Sequence, residues 1–171
     1  DKDGDGFIDD TDVIKIGEPA YPSAVLSLGS ELNWKGFDFS VLFTGSFGGT
    51  VNLLDYPQWR AFENYGTAFE WAKGAWVFYP EAKLDTRDTA TYPRLSTSTN
   101  DNNYHASSFW IRKNNWLRLQ NIEFGYELSN IPAVRNVGLH RCRVYINAYN
   151  ILTLSSLLWE CKMDPQTTNY G

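Results

Sequence analysis

The stretch from Ala24 to Phe47, AVLSLGSELNWKGFDFSVLFTGSF, constrains this chain more than any other. It reads as two β-strands joined by a tight turn at Lys35-Gly36. In the second strand Phe37, Phe39, Val41, Phe43 and Phe47 share one face, with Gly45 in the gap. Asp38, Ser40, Leu42, Thr44 and Ser46 share the other. In the first strand Ala24, Leu26, Leu28, Leu32 and Trp34 stand opposite Ser27, Gly29, Glu31 and Asn33. A period of two makes one apolar and one polar face on a sheet. Each strand runs about ten residues or more, whereas soluble domains use about five or six. A strand that crosses a bilayer needs about 9–11 residues. Trp34 and Phe37 flank the turn, at the level where a membrane barrel carries its aromatic girdle. Taken alone, the hairpin fits a membrane barrel and a long hairpin of a soluble sandwich equally.

Two further strands share this layout. In Trp116 to Leu128, Ile122, Phe124, Tyr126 and Leu128 alternate with Asn121, Glu123, Gly125 and Glu127. In Arg141 to Leu152, Cys142, Val144, Ile146 and Ala148 alternate with Arg143, Tyr145, Asn147 and Tyr149. The connections are in turn short (Lys35-Gly36), long (49–115), short (Ser129 to His140, with Pro132, Gly138 and one helical turn) and then a tail, 153–171. Short turns at one end and long loops at the other are the habit of outer-membrane barrels. A sandwich has shorter strands and more evenly spaced turns. The fold class is therefore all-β, with antiparallel strands forming part of a large transmembrane β-barrel and long loops on one side. Composition agrees with this. No segment is apolar for long enough to be a transmembrane helix. The mean hydropathy is negative, which a barrel tolerates because half of each strand is polar. The net charge of -5 disfavours non-specific nucleic-acid binding.

The chain opens with DKDGDGFIDDTD, residues 1–12, the sequence form of a calcium loop. Asp1, Asp3, Asp5 and Asp9 can converge on a hard cation as side-chain ligands. The Phe7 carbonyl adds an oxygen, Gly6 takes the sharp turn and Ile8 anchors the loop. Asp12 stands where an EF-hand has a longer Glu, and the residues after it look extended rather than helical. The same residues also fit an acidic turn held by its own side chains. The long connection carries 13 aromatic residues, so composition does not make it disordered. A weak helical pattern runs from Tyr56 to Val77 (Trp59, Phe62, Phe69, Ala72), and Ser96 to Asn103 reads as a mobile polar tip. His105 and His140 lie in different connections and have no metal spacing. There is no GxSxG, CxxC or P-loop. Glu31, Glu123 and Glu127 project to the polar face as wall lining, with Arg141 and Arg143 to balance them. Cys142 and Cys161 lie at opposite ends of the fourth strand, too far apart for a disulfide.

The ordered set of DxDGDGxID, NWKGFDFSVLFTGSFGG, Tyr92-Pro93-Arg94-Leu95, FWIRKNNWLRLQNIEFGYEL, RVYINAYNIL and Asp164-Pro165 resembles the C-terminal part of SusC/RagA-type TonB-dependent outer-membrane transporters. The likeness runs along nearly the whole chain. It implies a barrel of about 22 strands with an internal plug, in the outer membrane of a Gram-negative bacterium and in contact with its lipid. It also implies import of oligosaccharides or peptides, energy supplied through TonB, and a SusD-like surface lipoprotein over the mouth. The short connections would face the periplasm, and 49–115 the outside. On this reading the chain is a piece of a longer polypeptide that lacks the plug, the TonB contact and the final strand. Gln166 stands where the family often has Glu, and Ile151-Leu152 where it often has Leu-Phe. It is not read as an enzyme. Two other readings stay open on the sequence: a soluble calcium-dependent carbohydrate-binding module, and a secreted glycosidase domain using a pair among Glu31, Glu123 and Glu127.

Overall fold

The computed structural model describes residues 2, 4–6, 10–17, 19–99, 101–139 and 141–166. It divides into two compact units, one of residues 18–51 and 113–171 and one of residues 1–17 and 52–112.

The first unit is a four-stranded antiparallel sheet. Its strands are β1 (Ala24–Trp34), β2 (Phe37–Phe47), β3 (Trp116–Glu127) and β4 (Arg143–Ser155), side by side in chain order. Trp34 pairs with Phe37 across the two-residue turn. Lys35 and Gly36 both take positive φ, 49° and 88°. This mirror-image turn matches the right-handed twist of the strands it joins. The register then lines up the alternating residues in rows. Trp34, Phe37, Tyr126 and Val144 form one row, and Leu32, Phe39, Phe124 and Ile146 the next. Ser30, Val41, Ile122 and Ala148 follow, then Leu28, Phe43, Leu119 and Leu152, and then Leu26, Gly45, Leu117 and Leu154. Nearly every residue on that face is apolar. Ring contacts tie the strands together: Phe37 lies 4.4 Å from Tyr126 and 5.7 Å from Phe124. Such cross-strand pairs contribute roughly 0.2–1 kcal/mol each. Leu26, Leu28, Leu32, Phe124, Ile146 and Leu152 remain exposed on this face.

The register slips at one level. Gln120 is an extra residue of β3 relative to β2, and β4 carries one more residue relative to β3 between Tyr149 and Leu152. Asn150 there has φ 54°. The slip is needed because Leu117 and Leu119 are out of phase with Ile122 and Phe124. A bulge restores both sets to one face. Gln120 is held by the Thr44 hydroxyl, which donates to its carbonyl at 2.9 Å. The fourth strand is displaced from its expected bounds. It begins at Arg143 and runs to Ser155, where the Ser155 hydroxyl caps helix α2 (Ser156–Cys161). The expected helical turn of the short connection is α1 (Pro132–Asn136), with Pro132 at its first position. Cys142 and Cys161 are not joined in a disulfide.

The second unit has its own core. Trp110, Leu53, Ala61, Tyr92 and Trp59 are buried. The Trp110 ring meets Tyr92 and Phe109 edge-on, and its N–H donates to the Asn103 carbonyl at 2.9 Å. The helical pattern expected over 56–77 does not give an α-helix. The chain makes short 3₁₀ turns at Pro57–Trp59, Glu63–Tyr65 and Glu70–Gly74. Pro57, Gly66 and the left-handed Phe62, Asn64 and Tyr65 interrupt any longer helix. A short hairpin of Phe78–Tyr79 and Leu84–Asp85 follows.

Candidate functional site

The polar face of the sheet carries the chemistry. Next to the Lys35-Gly36 turn, Asp38 on β2, Gly125 on β3 and Tyr145 on β4 share a row. The Arg143 side chain crosses β3 to reach Asp38, with its Nε donating to Asp38 Oδ1 at 3.0 Å. Its Nη2 donates to Asp38 Oδ2 and, at 2.5 Å, to Glu123 Oε1. This crossing depends on Gly125. A Cβ at that position would stand 2.5 Å from Asp38 Oδ2 and 2.6 Å from Arg143 Nη2. Of the two arginines expected to balance the wall carboxylates, Arg143 does so. Arg141 makes no ion pair among the described residues. The Glu127 carboxylate accepts the backbone N–H of Ser129 and of Cys142, each at 3.3 Å, and the Ser129 hydroxyl. It therefore pins the connection after β3. Glu123 thus holds Arg143, and Glu127 the connection after β3.

At the other end of the same face, Arg118 is buried. Its Nη2 lies 2.6 Å from Asp164 Oδ1, and its Nη1 donates to the Gln166 side chain. Asn114 and Pro165 are fully buried together, with Asn114 Nδ2 donating to the Pro165 carbonyl at 3.2 Å. Burial opposes ionisation of Asp164. The Gln166 N–H and the Arg118 guanidinium outweigh it, so the Asp164 carboxyl sits below its ordinary value. The tail after β4 therefore folds back on the sheet. Leu157, Cys161 and Met163 are buried along the way. The Asp164-Pro165 pair was legible as a motif, but its role as an anchor for a buried arginine was not.

Of the residues expected to hold calcium, Asp1, Asp3, Phe7 and Asp9 lie outside the described residues. Asp5 and Asp12 are described, and the Lys2 backbone N–H donates to Asp12 Oδ1. Gly4 and Gly6 have positive φ, 79° and 88°. Among the described residues no three His, Cys, Asp or Glu side chains come together as a metal-binding group.

In the loop unit the phenolic oxygen of Tyr92 donates to the Trp59 carbonyl and accepts the Ala61 N–H at 3.3 Å. Tyr104 lies beside it, with its ring 5.4 Å from the Arg60 guanidinium. Burial, together with neighbouring Tyr92 and Glu63, pushes the Tyr104 phenol up to about 12. Next to the short hairpin, Arg87 pairs with Asp85 at 2.7 Å and holds its carboxyl down at about 2.

No protein-family model matches the chain. It is 27% identical over 155 residues to TonB-dependent receptor P3 of Formosa agariphila, covering 91% of this chain and 14% of that protein. It is 26% identical over 175 residues to TonB-dependent receptor P26 of the same organism, covering 100% of this chain and 16% of that one. The chain therefore spans about one-seventh of the length of these relatives. Their names are those of receptors and not of enzymes. In fold it is similar to the RagAB peptide importer in its open-open state (TM-score 0.52, 20% identity) and its closed-closed state (TM-score 0.53, 20% identity). Each of these alignments covers 83% of this chain, and 14% and 15% of the respective neighbour.

Proposed function

We propose that this chain, a C-terminal barrel section of a SusC/RagA-type TonB-dependent outer-membrane transporter, forms four wall strands and one large extracellular loop of a nutrient importer. The observation that carries this reading is the two-faced sheet. Five rows of residues, apolar except for Ser30 and the bare Gly45, run across four strands on one side, and ion-paired polar residues occupy the other. From Ala24 to Trp34 the strand makes ten steps of about 3.3 Å, or about 33 Å in all. At a barrel tilt of about 40° that is about 25 Å of height, the height of the apolar band that faces lipid. The row of Trp34, Phe37 and Tyr126 then lies at the periplasmic interface, and Arg143, Asp38 and Glu123 line the interior. The substrate class is oligosaccharide or peptide. A SusD-like surface lipoprotein closes the mouth, and TonB acts on a part of the protein outside this chain. The acidic loop at 1–12 holds a structural Ca²⁺ on the outer surface, where free calcium is plentiful enough for a weak site.

The test is fractionation of the source bacterium with an antibody against the loop unit. The full-length protein should sediment with outer membranes and require detergent for release. Recovery in the aqueous secreted fraction would overturn the importer reading in favour of the soluble module.

A further inference from the structure

The end of the sheet at the Lys35-Gly36 turn carries a charge opposite to that of the chain. The connection 128–142 holds Arg135 and Arg141 and no Asp or Glu, in a chain of net charge -5. Lys35 adds a third cation. Backbone bonds gather the segments that carry them. The Gly36 carbonyl accepts the Glu127 N–H at 2.8 Å, and the Cys142 carbonyl accepts the Leu128 N–H at 2.7 Å. Lys35 and Arg141 therefore stand one residue beyond two contacts made by the same end of β3. The α1 turn, with Arg135, is joined to that end by the Ile131 N–H on the Leu128 carbonyl at 2.9 Å. All three cations are exposed, and none forms an ion pair among the described residues. The nearby carboxylates are engaged on the polar face. Asp38 and Glu123 hold Arg143, and Glu127 accepts the N–H groups of Ser129 and Cys142. The rim beyond them is left cationic.

The same rim exposes apolar side chains. Val137 is 75% exposed and Leu139 49%. Trp34, Phe37 and Val144, in the last row of the apolar face, are exposed as well. The Lys35 ammonium sits 5.0 Å over the Trp34 ring, so a cation stands where the apolar rows stop. A turn built only for water has no use for an open Val137 and Leu139. An acidic protein would answer the cations and leave their continuity with the apolar rows unexplained. An anionic phospholipid answers both. Its acyl chains meet the rows, and its phosphate meets the cations at the end of their apolar stems.

We infer that Lys35, Arg135 and Arg141, with Val137 and Leu139 beside them, form a docking site for anionic phospholipid of the leaflet that faces the periplasm. This rests on the importer reading, which puts these turns at that side of the membrane. The experiment uses the full-length protein in detergent, titrated with phosphatidylglycerol and, separately, with phosphatidylcholine of the same acyl chains. Native mass spectrometry counts the lipid retained. Wild type should retain phosphatidylglycerol in preference, and added salt should reduce the preference. Each cation changed to Gln should lower it about fivefold, the worth of one Lys or Arg beside an anionic surface. The triple variant Lys35→Gln, Arg135→Gln, Arg141→Gln should lose it, and Lys35→Arg should keep it. Lys83→Gln, in the loop unit, should change nothing. All these side chains are exposed, so the variants should fold, and unaltered heat-modifiable mobility checks that they do. Equal retention of both lipids by wild type, an unchanged preference in the triple variant, or displacement of the lipid by inorganic phosphate would overturn the site. An equal loss in Lys83→Gln would do the same. Fractionation separates this from the parent reading. An outer-membrane protein with no lipid preference loses the site and keeps the importer. A protein recovered in the aqueous secreted fraction loses the importer, and the site with it.

Discussion

Gly125 and Tyr104 show how single side chains hold this structure in two different ways. Gly125 works by absence, because its missing Cβ is the space through which Arg143 reaches Asp38. Gly125→Ala should weaken resistance to unfolding in the full-length protein, since the added methyl displaces the guanidinium. The same change made on an Asp38→Ala background should cost less, because the guanidinium is then held by Glu123 alone and can move aside. That non-additivity, read from urea titrations of the four variants, is the signature of a shared interaction. Equal losses on both backgrounds would mean that Gly125 matters only for the backbone. Tyr104 works by burial. Its folded phenol ionises at about 12, above the unfolded value of about 10. The folded state therefore keeps a proton that the unfolded chain releases. Its stabilising contribution is fully present below about pH 10 and is lost as pH rises toward 12. Ultraviolet titration should show at least one late-ionising tyrosine that Tyr104→Phe removes. Ten tyrosines titrating together near the ordinary value would contradict the packing around Tyr92.

At the level of the strands, the two faces make opposite demands on a charge. Val41 sits in the middle row of the apolar face, and Ser40 lies between Glu31 and Glu123 on the polar one. Val41→Arg should reduce assembly of the full-length protein into the membrane by about 2–4 kcal/mol, the cost of arginine facing lipid near the midplane. Ser40→Arg should assemble like wild type, with two carboxylates beside it. Heat-modifiable mobility on gels reads both, and equal yields would argue that no lipid faces Val41. The strands themselves were legible because alternation is a strong local signal, and the Lys35-Gly36 turn and strand order followed from it. The bulge was half legible. Gln120-Asn121 puts two polar residues in succession between Leu119 and Ile122, a break in phase that a strict period of two passes over. The anchoring of Asp164 on Arg118 was not legible, because it joins residues 46 apart that share no pattern. The loop unit was legible only as aromatic-rich. Left-handed Phe62, Asn64 and Tyr65 break any longer helix there, a conformation that Phe and Tyr do not advertise.

For the molecule as a whole, the apolar face and the outer edges of β1 and β4 dominate behaviour in water. Leu28 and Ile146 are each 72% exposed, and an unpaired edge is a template for further strands. The 171-residue chain expressed alone should therefore self-associate in buffer and become monodisperse in detergent. Light scattering decides, and a stable monomer without detergent would mean that the face is covered. The spacing of the connections also dictates an order in time. Two residues join β1 to β2, whereas sixty-odd separate β2 from β3. Loop-length scaling makes the second closure costlier by about 3 kcal/mol of chain entropy. The loop unit shortens that gap, because the Leu53 N–H meets the Trp110 carbonyl at 2.9 Å and draws its two ends together. Once its tryptophan core has formed, β2 and β3 are tethered by a handful of residues at each side. The hairpin and the loop then become the early events and the central pairing of β2 with β3 the late one, so the residues that gate completion of the sheet lie in the loop between its strands and not in the strands themselves.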